Sequence, residues 1–338
     1  MPGTDDLNSH VLMFSELSTS PEEGWDVTLG TLILLAGLLG IVGNSLSLRY
    51  FWQTRRNDLA TQLYLIIGVI DLCTCFFQFP VPASLFKRRL PVLFDNIFFC
   101  TAWTILFDFL NKMSMFLVLL LSLSRAIAIA RPFYRIRKKL IFGGFFMYCL
   151  LLIAHSIFML LLKFSAIYGA DATYCYLYFE TGEEKITKTQ NSFITTEYIL
   201  FSIEYGVPPL LTFLSFLVCL VKLLKGSRVG ATDDKRRTAA VTVTIFTAVF
   251  LLCNCPLFLL LTLYTTYSIV YGDEFSIDVG VFSNYFMLWY SWTICRILLT
   301  VFNATLNPII YFFRMANFKK WIRNGCKLEE TQFTVRST

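Results

Sequence analysis

The residues able to do chemistry in this chain are charged groups standing where charge is expensive. Asp71, Asp108, Lys112, Glu204 and Arg296 each interrupt an apolar run, and Arg125 closes another in "LSLSRAIAIARPF". A charge facing lipid costs several kcal/mol, so such side chains turn inward, pair with one another, or serve an ion or a ligand. Lys112 follows Asp108 by four residues, acid first, which is the order that closes an ion pair along one helix face. The alternative is that both groups meet a ligand directly. If Glu204, Arg296 and Asn254 face the same interior, the pocket is polar and amphoteric and suits a peptide or a zwitterion. The acidic outer mouth and the aromatic stretch "YCYLYF" lean toward a cationic or peptide ligand.

Catalysis is not expected. The chain has no His-Glu-x-x-His, no Gly-x-Ser-x-Gly and no Gly-x-Gly-Asp. With only two histidines, a His-based metal site is disfavoured, and His155 reads as a satisfied interior residue.

The elements that must hold these residues follow from composition. Of 338 residues, 56% are hydrophobic and 15% charged, too apolar for one soluble core with a polar shell. Seven runs are long enough to cross a bilayer, at about 27–52, 59–86, 97–130, 140–162, 196–224, 238–271 and 279–313. The odd count and the lack of a visible repeat argue against a two-half transporter.

Of the 29 Lys and Arg, 21 fall in the even-side loops and 6 in the others, which places the N-terminus outside. The basic inner face suits anionic lipids and acidic protein partners, with no requirement for nucleic acid. The expected organisation is an external tail over 1–26, an all-α bundle of seven transmembrane helices over 27–313, an amphipathic helix over 314–326 and a cytoplasmic tail over 327–338. The tail lacks a cleavable signal pattern, so the first span is expected to target the chain.

Cys100, at the outer end of the third span, and Cys175, in the longest external loop, can form a disulfide in an oxidising compartment. Cys326 follows the basic amphipathic "FKKWIRNGC" and is either palmitoylated or a plain thiol.

The chain resembles the rhodopsin-like (class A) G-protein-coupled receptors. The resemblance rests on "NPIIY" (Asn307, Pro308, Tyr311), Phe318 beyond it, Gly43 with Asn44, Asp71, "FLLCNCP" ending in Pro256, Pro208 or Pro209, and Cys100 placed 25 residues before Arg125. It implies a plasma-membrane receptor that couples to a heterotrimeric G protein and meets arrestin and receptor kinases. It further implies a switch made of Arg125 and Tyr311, a hinge at Pro256 above Phe250, and a sodium pocket of Asp71, Asn44, Ser114, Asn303 and Asn307. Without an ion, Asp71 would be a protonated member of a hydrogen-bond network.

Three departures bear on function. Ser124 stands where the family has an acid before the arginine, and Arg236 cannot replace that acid. Either Arg125 is loosely latched and ligand-free signalling is raised, or Ser124, Tyr134 or loop carbonyls hold it. Asn254 replaces the family's tryptophan two residues before Pro256. Phe107 stands where amine receptors have their aspartate, one position before Asp108. The rival reading is a transporter or channel with Asp71, Asp108 and Glu204 along its path.

Overall fold

The computed structural model describes residues 23–54, 59–87, 97–130, 137–167, 188–225, 241–255, 259 and 279–327, with side chains placed in 27–54, 59–83, 102–130, 137–158, 203–222, 224, 241–255, 259 and 296–327. Nine helices are described: α1 (Glu23–Thr54), α2 (Leu59–Phe77), α3 (Pro80–Lys87), α4 (Ile97–Ala130), α5 (Lys138–Ile167), α6 (Lys188–Lys225), α7 (Val241–Cys255), α8 (Val279–Arg314) and α9 (Ala316–Arg323). Six of the described helices are long and apolar enough to cross a membrane, and α7 is a shorter apolar helix within the sixth expected span. Pro256, Arg236, Tyr134 and Cys175 lie outside the described residues.

Helices α1 and α8 approach closely because glycines leave room between them and their neighbours. A β-carbon on Gly43 would lie 2.8 Å from Cβ of Pro308, and one on Gly40 would lie 2.4 Å from Sγ of Cys75 and 2.8 Å from Oγ1 of Thr305. Small residues at helix contacts are how membrane bundles gain packing, since lipid gives apolar faces no reason to separate from it. Polar groups then join the backbones. Asn44 donates its amide to the carbonyls of Gly40 and Ala304, both at 3.0 Å, and the Thr305 hydroxyl lies 2.8 Å from the Ala36 carbonyl.

The second span is not the single helix that its apolar run implies. It breaks at Gln78 and Phe79 and restarts as α3, because Pro80 has no N–H and disfavours helical geometry at the residue before it. The break is made good from both sides. Gln78, fully buried, donates to the Ile33 carbonyl at 3.0 Å across the gap opposite Gly37. Trp103 of α4 donates its indole N–H to the Phe77 carbonyl at 2.6 Å.

Helix α4 runs through the interior, whereas α5 stands at the edge, with Leu140, Phe146 and Leu151 among its exposed side chains, as expected of a lipid-facing helix. The inner half of the core is aromatic. Tyr311 is wholly buried among Phe51, Tyr64 and Phe246, with ring centroids at 5.3, 5.2 and 6.2 Å.

Helix α9 is shorter than the expected 314–326. It packs Phe318 edge-on and Trp321 tilted against Tyr50, and Trp321 donates to Gln53 at 2.8 Å. Gly325 and Cys326 then take left-handed backbone (φ 65° and 62°), and the Cys326 N–H returns to the Trp321 carbonyl, closing the helix with a Schellman-type bond.

Candidate functional site

Two buried polar clusters lie one above the other on the inward faces of α4 and α8. The outer cluster is built from four helices. Asp108 and Lys112, one turn apart on α4, form an ion pair at 2.7 Å. Lys112 also pairs with Glu204 of α6, whose other oxygen contacts Nδ1 of His155 on α5 at 2.8 Å. Arg296 of α8 reaches Asp108 at 2.9 Å. Tyr205 donates its hydroxyl to Asp108 and accepts from the amide of Asn111 at 3.4 Å. Both cations also lie against the Tyr205 ring, Lys112 at 5.6 Å and Arg296 at 5.8 Å from its centroid.

Two carboxylates, Asp108 and Glu204, offset one ammonium and one guanidinium. These four groups sum to no net charge, and pairing is what makes their burial tolerable. Lys112 is only 3% exposed, so water cannot replace either acid.

The inner cluster centres on Asp71 of α2. Asn307 donates its amide to one carboxylate oxygen at 2.6 Å, and Ser114 donates its hydroxyl to the other at 3.3 Å. Among the described residues no Lys, Arg or His pairs with Asp71, which is 1% exposed. Asn303 is buried one turn before Asn307, while Asn44 directs its amide to backbone.

The model of the family described as 7 transmembrane receptor (rhodopsin family) matches residues 43–311, most of the chain. This chain belongs to the rhodopsin family of seven-transmembrane receptors. It is a multi-pass membrane receptor and not an enzyme, and signalling through G proteins is general to its family.

The chain is also similar to individual receptors. Mas-related G-protein coupled receptor member X2 of Trachypithecus francoisi is 27% identical over 296 residues, which cover 86% of this chain and 77% of that one. The Homo sapiens protein of the same name is 26% identical over 296 residues with the same coverage. Formyl peptide receptor 2 of Mus musculus is 24% identical over 298 residues, covering 83% and 78%.

At the inner end of this receptor, the Ser124 hydroxyl donates to the Leu121 carbonyl of its own helix at 2.8 Å. Nε of Arg125 is buried with no hydrogen-bond partner among the described residues. Phe250 is buried in the inner core. Asn254 is buried and donates to the Phe250 carbonyl at 2.8 Å, and among the described residues no hydrogen bond joins it to the outer cluster. Cys100 lies in the first turn of α4 with its side chain not described, and Cys326 is a half-buried free thiol after α9.

The structure thus brings together four of the five residues expected to face a ligand, Asp108, Lys112, Glu204 and Arg296. It gives the Asp108–Lys112 pair the intrahelical contact, but inside a network that spans helices. Two members were not expected there. Tyr205 gives no sequence signal beyond standing next to Glu204, and one helical step turns a side chain by about 100 degrees. His155, expected to be a satisfied interior residue, meets through Nδ1 the same glutamate that holds Lys112, while its Nε2 is buried with no hydrogen-bond partner among the described residues.

Proposed function

We propose that this receptor recognises an extracellular peptide or small zwitterionic molecule at Asp108, Lys112, Glu204 and Arg296, with Asn254 beneath. Binding is converted into activation of a heterotrimeric G protein at the plasma membrane. The observation that carries the reading is the net-neutral charged cluster about 25 Å outward of Arg125, at the depth where a ligand entering from outside would stop. A ligand with one charge would leave a buried group of that sign without a partner. A ligand with both charges can take the place of a buried pair without that penalty. The name of the formyl peptide receptor relative is consistent with a peptide-type ligand.

Transmission inward follows from shared helices. Asp108, Lys112, Ser114 and Arg125 all stand on α4, and Arg296, Asn307 and Tyr311 on α8. A shift of either helix at the outer cluster must therefore be felt at Asp71, at the aromatic packing of Tyr311 and at Arg125. Pro256 would serve as the hinge, and arrestin and receptor kinases would follow G-protein engagement.

The residues around Asp71 fit a sodium ion in chemistry. A buried carboxylate with no basic partner among the described residues calls for a cation, and the Ser114 hydroxyl with the Asn303 and Asn307 amide oxygens are the hard donors it prefers. Asn307 would turn its amide oxygen, in place of its N–H, toward the ion. Bound there, the ion would supply positive charge and favour the resting packing.

The test is nucleotide exchange on a panel of G proteins, driven by short peptides with free termini and by the same peptides with acetylated N-termini or amidated C-termini. Activation by a free peptide that either block abolishes, and that Arg296→Gln also loses, is the expected result. Equal potency of free and doubly blocked peptides would overturn the assignment of the ligand site.

A further inference from the structure

We infer that the Lys112-centred cluster is itself the lock that holds this receptor at rest, doing at the outer side the work that an acid before Arg125 would do at the inner side. The inference rests on the receptor reading above and concerns the state before any ligand arrives.

The inner end has no charged latch among the described residues. Ser124 is neutral, its proton is engaged by the Leu121 carbonyl, and Nε of Arg125 is buried without a hydrogen-bond partner among the described residues. The outer cluster has what the inner end lacks. Lys112 sits between two carboxylates on different helices, Asp108 of α4 and Glu204 of α6. Glu204 continues to His155 of α5 and Asp108 to Arg296 of α8, so one ammonium sits at the centre of contacts that tie four helices.

Such a cluster is close to all-or-none. Moving α6 away from α4 parts Glu204 from Lys112, which is only 3% exposed, and a buried charge stripped of a partner is strongly unfavourable. Small displacements are therefore resisted, and a large one releases the whole contact.

Helix α6 is built to yield at this turn. Pro208 and Pro209 lie inside it, and neither has an N–H to donate to the residue four before. Those residues are Glu204 and Tyr205, the two that α6 contributes to the cluster. The turn that carries the lock thus lacks two of its backbone hydrogen bonds, so the ionic and phenolic contacts carry more of its positioning than they would in an unbroken ladder. That placement puts the lock at the turn where the prolines let the helix bend.

The experiment needs no ligand. Spin-labelled unnatural residues are placed at Ala128 on α4 and at the exposed Leu224 on α6, and the distance between the inner ends is measured by double electron–electron resonance in purified full-length receptor. Basal exchange on a G-protein panel is recorded beside it at matched folded amounts. Lys112→Met is compared with wild type, with Lys112→Arg, which keeps the charge, and with Arg296→Gln, which cuts the cluster at its other edge should the first variant fold poorly.

The expected result is a long-distance population raised about fivefold or more in Lys112→Met and Arg296→Gln, and raised less in Lys112→Arg, which keeps the charge. If the distances lengthen and no G protein exchanges, the lock stands and the receptor reading is what fails. If the folded variants keep the wild-type distance distribution, the lock is overturned whatever the exchange assay shows.

Discussion

Asn307 donates its amide to Asp71 at 2.6 Å, joining α8 to α2 through a carboxylate that has no cationic partner among the described residues. The contact links the Asn-Pro-x-x-Tyr segment directly to the one buried acid of the inner half among the described residues. Whatever neutralises Asp71 therefore acts on the segment that carries Tyr311.

If sodium is that neutralising charge, the wild-type melting temperature rises when sodium replaces choline as the chloride salt, and Asp71→Asn abolishes the difference. A ligand at 100 times its dissociation constant stabilises by about 2.7 kcal/mol, enough to be read in a thermal-shift assay. Equal melting temperatures of the wild type in the two salts would leave Asp71 as a protonated network member.

Ser124→Asp supplies the missing acid beside Arg125. Basal nucleotide exchange is expected to fall relative to wild type, and Arg125→Ala to abolish exchange even with Ser124→Asp present. Unchanged basal exchange in a well-expressed Ser124→Asp variant would mean that Arg125 is held in some other way.

The close approach of α1 to its neighbours makes a prediction about packing alone. Gly40→Val forces side-chain atoms onto Cys75 and Thr305 and should lower stability by about 1–3 kcal/mol, the usual cost of overpacking. Gly144→Ala, where nothing lies within 4 Å, is the control and should melt like wild type. A Gly40→Val receptor with unchanged melting temperature would refute the tight contact.

Tyr205→Phe keeps the ring beside both cations and removes the hydroxyl bonded to Asp108. Hydrogen bonds to charged groups are worth about 1.5–3 kcal/mol. Stability should fall by that order, measured by chemical or thermal unfolding in detergent, and the ligand-free distance between α4 and α6 should lengthen less than in Lys112→Met.

Trp321→Phe separates two roles of α9. The aromatic packing against Tyr50 remains, but the bond to Gln53 is lost, and about 0.5–1.5 kcal/mol of local stability should go with it. Hydrogen exchange confined to 316–326 is the measurement, with faster exchange there as the expected outcome.

Much of this receptor is legible from the chain alone, because a bilayer leaves few choices. Apolar length marks the spans, and intramembrane charges such as Asp71 and Lys112 must turn inward, since lipid offers them no partner. The motif residues Asn307, Pro308 and Tyr311, spaced as they are, placed the chain in its family before any fold was considered. The tertiary structure decided which charges meet. That Lys112 bridges Asp108 and Glu204, that Tyr205 and His155 complete the cluster, and that Gln78 and Trp103 repair the break before Pro80 depend on helix rotation and depth. One residue of rotation swings a side chain by about 100 degrees, and neither rotation nor depth is written in hydropathy. They come from close contacts such as Gly43 on Pro308, which exist only once the helices have packed.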